Sequence, residues 1–526
     1  MRFYPLLDQW IVVGLLSFFF VGEKTQKLND YANVYLRLSI MTFLEDVARS
    51  AISGYLYIQN KDLSSLPELP YGLKRLYCDN NRLTSLPKLP VTLEYLRCSN
   101  NRLTSLPDLP PNLKTLSCQN NRLRSLPVLP NSLNRVWCPE NQLTYLPKIP
   151  DSLKSITCYK NRLSYLDDLS NTRLEKIWCS ENLLTSLPNL PPTLEFMDFS
   201  NNIITSLPKL DKTILTDIII NNNCIVELPR LPNTVQVIEC NDNRLRVLPK
   251  RLPSDLCDLS CDDNNISLIP PLPKQLTSLS CDGNNLRTLP ELPDSLTHLF
   301  CNHNNLTALP KLSQNMITLL CAHNVLRIIP DLPEHLKMLG CWNNQLTHIP
   351  TLPAKLEELY CEENDVEILP ELPIGLKKLN ISNNLLRSLP ALPLRLVELH
   401  CFNNDLLLLP PLPDSLESLD CSMNSLEALP KPPLTIKVLE CESNNWNSVF
   451  QGYIMSSTTP LKAIYAYHKN KRKLKRRAAA VLETASHLGK SVLNTDVVTK
   501  ICSFMSGFGG SVSAQMTALK REYDVL

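Results

Sequence analysis

Sixteen cysteines fall on one repeating position of this chain, and thiols at regular spacing can do three things. They can hold a metal ion, bridge to one another, or lie inert as small apolar side chains. In the stretch "TLEYLRCSNNRLTSLPDLP", Thr92 to Pro110, the thiol is Cys98; it returns about twenty residues on at Cys118, and again as far as Cys441. The exceptions discriminate between the three chemistries. Where cysteine is missing, the position holds Ile58, Phe199, Ile220 or Ile381, all apolar. A ligand column would drift to His or Asp, and a disulfide column would lose its cysteines in pairs. A parallel stack also points every sulfur the same way, which suits neither tetrahedral zinc nor relaxed disulfide geometry. Core packing is the reading that survives, for Cys98, Cys118 and Cys301 as for the rest, and no metal or cofactor is expected. Many unpaired thiols imply a reducing compartment. Cys224, Cys257 and Cys502 lie off the column; Cys257 and Cys261 form a C-x3-C pair with no matching histidine and are read as chance. No glycine-rich phosphate loop is present, and the eight histidines make no metal-ligand spacing, so no catalytic constellation is found.

The elements that position these thiols follow from the repeat, L-x-x-L-x-C-x-x-N-x-L-x-x-L-P-x-L-P. It runs from Tyr55 to about Trp446 in twenty units, with most steps of 20 residues and three of 21, all between Cys158 and Cys261. This is a leucine-rich-repeat pattern. In "LEYLRC", Leu96 and Cys98 alternate with Tyr95 and Arg97, the period of a short strand with one buried face. One unit is too small to bury that face alone, so neighbours must stack into a parallel sheet around a shared core. At about 4.8 Å per strand the stack is on the order of 90 Å along its arc. The asparagine three residues after the cysteine, as in Asn101, Asn121 and Asn304, sits where the chain leaves the strand and frees backbone groups. Its amide donates and accepts, so a stack of such residues is expected to satisfy its own loop and the next. Only the first unit breaks the series, with Lys61. The prolines of "LTSLPDLP" fix φ near the polyproline value and exclude a helix on the return. The expected fold is an α/β solenoid with a concave parallel sheet of about twenty short strands, an extended convex side, gentle curvature and helical caps at both ends.

Composition supports one repeat domain rather than several mixed ones: the 526 residues include 42 prolines against 12 glycines. The formal charge of +2 gives no bulk reason to expect nucleic acid as a partner. Residues 1–54 are expected to form an N-terminal helical cap, 55–446 the solenoid, and 447–526 a small helical C-terminal region. In the first of these, Thr25–Ser53 reads as helical, with Leu28, Tyr31, Val34, Tyr35 and Leu38 on one face. The apolar run Trp10–Val21 is short for a membrane span and lacks the flanks of a signal peptide. It is read as a cap helix, with membrane association and a translation start at Met41 left open. In the last region, "HKNKRKLKRR" (His468–Arg477) reads as a solvated helix or as a nuclear-localisation or anionic-surface patch. Asn494–Gly507 reads as a second short helix.

Binding is expected on the concave face, where the residues flanking each buried strand position are displayed. The early units show Tyr55, Tyr57, Arg75, Tyr77, Tyr95, Arg97, Arg135, Trp137, Tyr159, Lys176, Trp178 and Phe196. Aromatics and arginine are enriched in interface hot spots, although strands favour aromatics on their own account. The middle units show Asp198, Asp217, Glu239, Asp258, Asp262 and Asp282, and later ones His298, Phe300, Trp342, Glu358, Tyr360, His400 and Phe402. Propensity alone would not segregate charge in this way. An aromatic-basic contact surface beside an acidic one is the expectation, with a protein partner, host or viral.

The unit "LPDLPPNLKTLSCQNNRLRSLP" resembles the short repeats of injected bacterial leucine-rich-repeat effectors, the YopM and IpaH type. That resemblance implies a cytoplasmic or host-cytoplasmic interaction protein with an N-terminal helical hairpin, which Met1–Ser53 would match. Some such effectors add a large ubiquitin-ligase domain with a catalytic Cys-x-Asp. Here the C-terminal region is about eighty residues and its one cysteine sits in "CSF" (Cys502–Phe504), so ligase activity is not carried over. Repeat proteins of giant amoeba-infecting DNA viruses are similarly rich in Leu, Asn and Cys, and beside them "NTDVVTKICSFM" resembles an F-box-like helix. The first functional expectation is therefore a non-enzymatic scaffold. The alternative is a ubiquitin-pathway adaptor or ligase acting through the C-terminal helices.

Overall fold

The computed structural model describes residues 45–447 and 468–469. The chain divides into two compact units, Met1–Ile204 with Lys212–Ile214, and Thr205–Asp211 with Leu215–Leu526. Among the described residues the first contains eight three-residue strands, from β1 (Tyr55–Tyr57), β2 (Arg75–Tyr77), β3 (Tyr95–Arg97), β4 (Thr115–Ser117) and β5 (Arg135–Trp137) to β8 (Phe196–Asp198). The second contains twelve, from β9 (Asp217–Ile219), β10 (Val237–Glu239), β11 (Asp258–Ser260), β12 (Ser278–Ser280) and β13 (His298–Phe300) to β20 (Val438–Glu440). Within each unit successive strands pair in parallel and in register. Leu76 lies opposite Leu96, Leu96 opposite Leu116, and Leu116 opposite Val136. In the second unit Ile238 lies opposite Leu259, and Leu259 opposite Leu279.

The strands are short because only their middle residue points inward before the chain must turn. Leu93, Leu96, Cys98 and Leu103 of one repeat are each 0% exposed, and the same four positions repeat in Leu113, Leu116, Cys118 and Leu123. Pairing continues past the strand: Cys98 N–H donates to Ser117 O at 2.8 Å and Asn100 N–H to Gln119 O at 2.9 Å. The return segments carry no helix among the described residues, as the paired prolines require. A tight turn closes each one, with Leu113 N–H donating to Pro110 O at 3.1 Å. Hydroxyls then tie one return to the one before it, as in Ser132 Oγ to Leu113 O at 2.7 Å and Thr92 Oγ1 to Leu73 O at 2.9 Å.

The asparagine column works with one change from the expected direction. Asn121 Nδ2 donates to Cys118 O and Gln119 O of its own turn and to Cys98 O of the preceding repeat, at 3.0–3.1 Å. Its Oδ1 accepts from Leu103 N–H at 3.0 Å. Asn101 and Asn304 bond in the same way. The side chain thus reaches back one rung rather than forward, because the freed groups of the preceding loop face the incoming amide. A second feature escaped the sequence reading. The residue before each such asparagine has a left-handed backbone, with φ of 57° at Asn80, 53° at Asn100, 54° at Lys160 and 50° at His303.

At the N-terminal side residues 45–53 are helical, within the segment expected to be so. Gly54, at φ 75°, ends this turn with N–H bonded to Ser50 O at 2.8 Å. Its own carbonyl accepts from Lys74 and Arg75, which joins helix to sheet. The expectations for residues 1–44, including the apolar run, and for the C-terminal region apart from 468–469 lie outside the described residues. Within that pair, His468 Nε2 lies 2.8 Å from Leu429 O. Among the described residues no helix is long and apolar enough to cross a membrane.

Candidate functional site

The sheet face of the first unit carries side chains that contact one another above the buried leucines. On β1–β3 the rings of Tyr57 and Tyr77 stack at 5.0 Å and 9°. The Arg75 guanidinium lies between two rings, 5.2 Å from Tyr55 and 4.5 Å from Tyr95. Arg97 lies 5.6 Å from the Tyr77 ring. Such cation–π contacts hold long side chains in place at the surface. Further along the unit, Arg135 and Trp137 are exposed on β5, Lys176 is exposed, Tyr159 is half-buried, and Trp178 packs on Phe196 at 4.8 Å. Tyr77, Tyr95 and Arg97 are thus brought together, while Arg135, Tyr159, Lys176 and Trp178 continue the same face.

A polar cavity of about 290 Å³ opens on this face, lined by Asp79, Arg97, Ser99, Ser117, Gln119 and Trp137 among others. Asp79, Ser99 and Gln119 occupy the position just after the cysteine column, and the sequence reading passed over them. It gave weight to that position only where an aromatic or a run of acids stood there. Asp79 is 3% exposed; its Oδ1 accepts from Ser99 N–H at 2.9 Å. Arg97 Nε lies 3.2 Å from Asp79 Oδ2, but misaligned, so that Oδ2 accepts no hydrogen bond. Trp137 Nε1–H donates to Gln119 Oε1.

The second unit uses the corresponding positions differently. Asn241 N–H donates to Asn221 Oδ1, Asp262 N–H to Asn241 Oδ1, Asp282 N–H to Asp262 Oδ1, Asn302 N–H to Asp282 Oδ1, and Ala322 N–H to Asn302 Oδ1, all at 2.6–2.9 Å. Serine hydroxyls add to it, Ser280 Oγ lying 2.7 Å from Asp262 Oδ1. Burial pushes both carboxyls, Asp262 and Asp282, above the ordinary aspartate range, against the hydrogen bonds that favour their charge. Glu239 accepts from Asn221 Nδ2 at 2.9 Å and Asp217 from Thr216 Oγ1 at 2.5 Å; Asp258 is half-buried on β11. Much of the acidity read as a contact surface therefore holds adjacent rungs together.

Beyond it stands a second aromatic group. His303 and His323 stack at 4.0 Å, and His323 Nε2 lies 3.1 Å from Trp342 Nε1. Burial and the neighbouring His303 lower the His323 pKa. Tyr360 meets the Trp342 edge at 6.5 Å and donates its hydroxyl to Glu358 at 2.8 Å. Burial, together with that bond, pushes its phenol up. Phe300, on β13, is half-buried near His298. Gly340 leaves the space the indole occupies, since a Cβ there would lie 2.6 Å from the Trp342 ring.

Beneath both faces the column cysteines are buried free thiols. Cys98, Cys118 and Cys301 are 0% exposed, and several sulfurs sit against the next strand, as in Cys98 Sγ to Ser117 O and Cys301 Sγ to Leu320 O, both at 3.5 Å. Burial pushes the Cys118 thiol to about 12 and holds Cys98 and Cys301 well above the ordinary range. A thiol held neutral is a poor nucleophile and a poor ligand. Among the described residues no three His, Cys, Asp or Glu side chains converge on a metal-sized site.

The family model for leucine-rich repeats (2 copies) matches residues 91–131. Among solved structures, YopM from Yersinia enterocolitica WA-314 is 35% identical, with a TM-score of 0.75 over 80% of this chain and 97% of that one. YopM from Yersinia pestis, described as a leucine-rich effector protein, is 30% identical over 77% of this chain and 93% of that one, with a TM-score of 0.37. The Arabidopsis receptor kinase HAESA, solved with the peptide hormone IDA and the co-receptor SERK1, is 20% identical, covers 75% of this chain and 87% of its own, and has a TM-score of 0.50; it shares the fold alone. No curated protein matches. With the repeat read from its leucines, its strands in register and a 35% identical relative covered over nearly its whole length, the chain belongs to the leucine-rich repeat family.

Proposed function

We propose that the protein is a non-enzymatic interaction scaffold that binds a protein partner through the sheet face of its first unit. The observation that carries this reading is the packing of Tyr55, Arg75, Tyr95, Tyr77 and Arg97 into one ordered surface layer. Aromatic and arginine side chains fixed in this way lose little rotamer freedom on binding, which is what makes such residues effective anchors. The free, buried thiols favour work in a reducing compartment such as a cytoplasm. Likeness to YopM favours a host protein as the partner of a pathogen-encoded chain.

The test uses the full chain as bait in host-cell extract, with captured proteins identified by mass spectrometry and their affinities measured. Changing both Trp137 and Trp178 to Ala is expected to weaken the captured complex at least about tenfold, the effect of losing about 1.4 kcal/mol. Both indoles sit above the core rather than in it, so the fold should persist in circular dichroism. An unaltered affinity would remove this face from the binding function.

A further inference from the structure

The cavity beside Trp137 has a donor pattern that defines what it accepts. Arg97 makes a misaligned ion pair with Asp79 and donates no side-chain hydrogen bond, so its outer N–H groups are unengaged. Ser99 Oγ and Ser117 Oγ lie 2.9 Å apart; one donates to the other, which leaves one hydroxyl proton over. Gln119 Oε1 is taken by the indole N–H, so its amide NH2 remains as a donor. Guanidinium, hydroxyl and amide donors thus surround one space of about 290 Å³. The one strong acceptor, Asp79, has its unsatisfied Oδ2 shut beneath Arg97, with a side chain only 5% exposed.

We infer that this cavity is a subsite for the carboxylate of an aspartate or glutamate side chain on the partner. This rests on the scaffold reading and supplies the chemistry of one contact within it. A carboxylate only accepts, and a guanidinium fork matches it with two parallel bonds. When Arg97 turns its outer edge to that ligand, its Nε–H can align on Asp79 Oδ2 and satisfy the buried oxygen. Asp79 is then a positioning residue: it fixes the arginine from behind. Trp137 forms the wall and lowers the local dielectric, which strengthens the ion pair. Arg75, Arg135 and Lys176 extend positive charge along the same face, which suits an acidic segment better than a single chain terminus. A cationic side chain meets Arg97 first, and the carboxylate of Asp79 lies shut beneath it.

The experiment follows the indole N–H signals of the full-length protein, which has five tryptophans, by NMR, with Trp137 assigned through Trp137→Phe. Four probes are titrated to tens of millimolar. N-acetylglutamate amide has a side-chain carboxylate only, and N-acetylglutamine a terminal carboxylate only. N-acetylglutamine amide is neutral, and N-acetylarginine amide is cationic. The first is expected to move the Trp137 signal saturably and the neutral and cationic probes to leave it in place. Arg97→Gln should weaken that binding at least tenfold with the remaining signals intact, and Ser117→Ala should weaken it severalfold. No response to the first probe, an equal response to the neutral one, a response to the cationic one instead, or indifference to Arg97→Gln overturns the assignment. A response to the terminal carboxylate in preference to the side-chain one overturns the acidic-segment source. Because the probes need no partner, the subsite can stand while partner capture fails, or fall while it succeeds.

Discussion

The two units are built on one repeat, yet the position after the cysteine column has opposite roles in them. In the second unit Asn241, Asp262, Asp282 and Asn302 each accept the backbone N–H of the following repeat, so their polarity is engaged inside the protein. In the first, Asp79 does so once, and the chain then offers Ser99, Gln119 and Pro139, none of which extends the series through a side-chain acceptor for the next N–H. The outer N–H groups of Arg97, one serine hydroxyl proton and the Gln119 amide are left without internal partners. A row of charges on a repeat sheet therefore says little until each charge is traced to what it bonds. The more acidic row is the more structural one, and the sparser row is the better candidate for recognition.

This contrast presumes that everything beneath the face is alike in both units, and the asparagine column tests that presumption hardest. Asn121→Ala in the first unit and Asn304→Ala in the second each leave one backbone N–H, of Leu103 or Leu286, without its acceptor and take one of two bonds from three carbonyls. Each change is expected to lower stability by about 1–3 kcal/mol, the cost of one orphaned buried donor with fewer bonds around it. Denaturant unfolding measures it, and losses differing by more than about 1 kcal/mol would show that the two backbones are not equivalent.

The position after the column should respond unequally. Asp282→Ala removes the acceptor of two Asn302 donors and is expected to cost about 1–2 kcal/mol, whereas Asp79→Ala, with one donor, should cost less. Asp282→Asn keeps an acceptor and removes the charge. Because burial raises the Asp262 and Asp282 pKa values, the stability they contribute is complete below the unfolded aspartate value of about 3.9 and is lost as pH rises through their raised folded values. Wild-type stability should therefore decline across that window more than the Asp282→Asn variant does, as urea unfolding between pH 4 and pH 7 would show. A slope shared by both proteins would mean that Asp282 titrates as if exposed.

How far the sequence could reveal all this depends on how many residues vote for each feature. The strand, the apolar column and the asparagine are legible because each recurs in nearly every unit, so that exceptions such as Phe199 and Ile381 carry information too. The left-handed turn was missed although Asn80, Asn100, Asn120 and Gly283 signal it, because Glu140, Lys160, His323 and Met423 fill the same position. There the backbone is imposed by the stack and not by local preference. The cavity was illegible for a different reason. Trp137 and Arg97 stand out as residue types, but Asp79 matters only through one oxygen whose hydrogen-bond state depends on the angle of a neighbouring guanidinium. No spacing rule conveys an angle.

The left-handed column also gives the finest test of equivalence between the units. In the first, Asn100 Nδ2 donates to Asn80 Oδ1 at 2.7 Å and Asn120 Nδ2 to Asn100 Oδ1 at 2.8 Å, an exposed amide series over three repeats. In the second, Asn403 Nδ2 donates to Asn383 Oδ1 at 2.8 Å, and the series stops because the next residue is Met423 at φ 51°. A left-handed backbone disfavours an unbranched apolar side chain by about 1–2 kcal/mol relative to residues that tolerate it, and asparagine recovers part of that. Met423→Asn is expected to raise stability by about 0.5–1 kcal/mol, through reduced strain and one further amide bond to Asn403 at the surface. Asn120→Met, which likewise changes one amide bond, should lower it by a similar amount. Opposite shifts of similar size in the denaturation midpoint, at constant slope, would mean that both units impose the same turn and read side chains by the same rule. If only Asn120→Met had an effect, the turn would be enforced by amides in the first unit and by packing alone in the second.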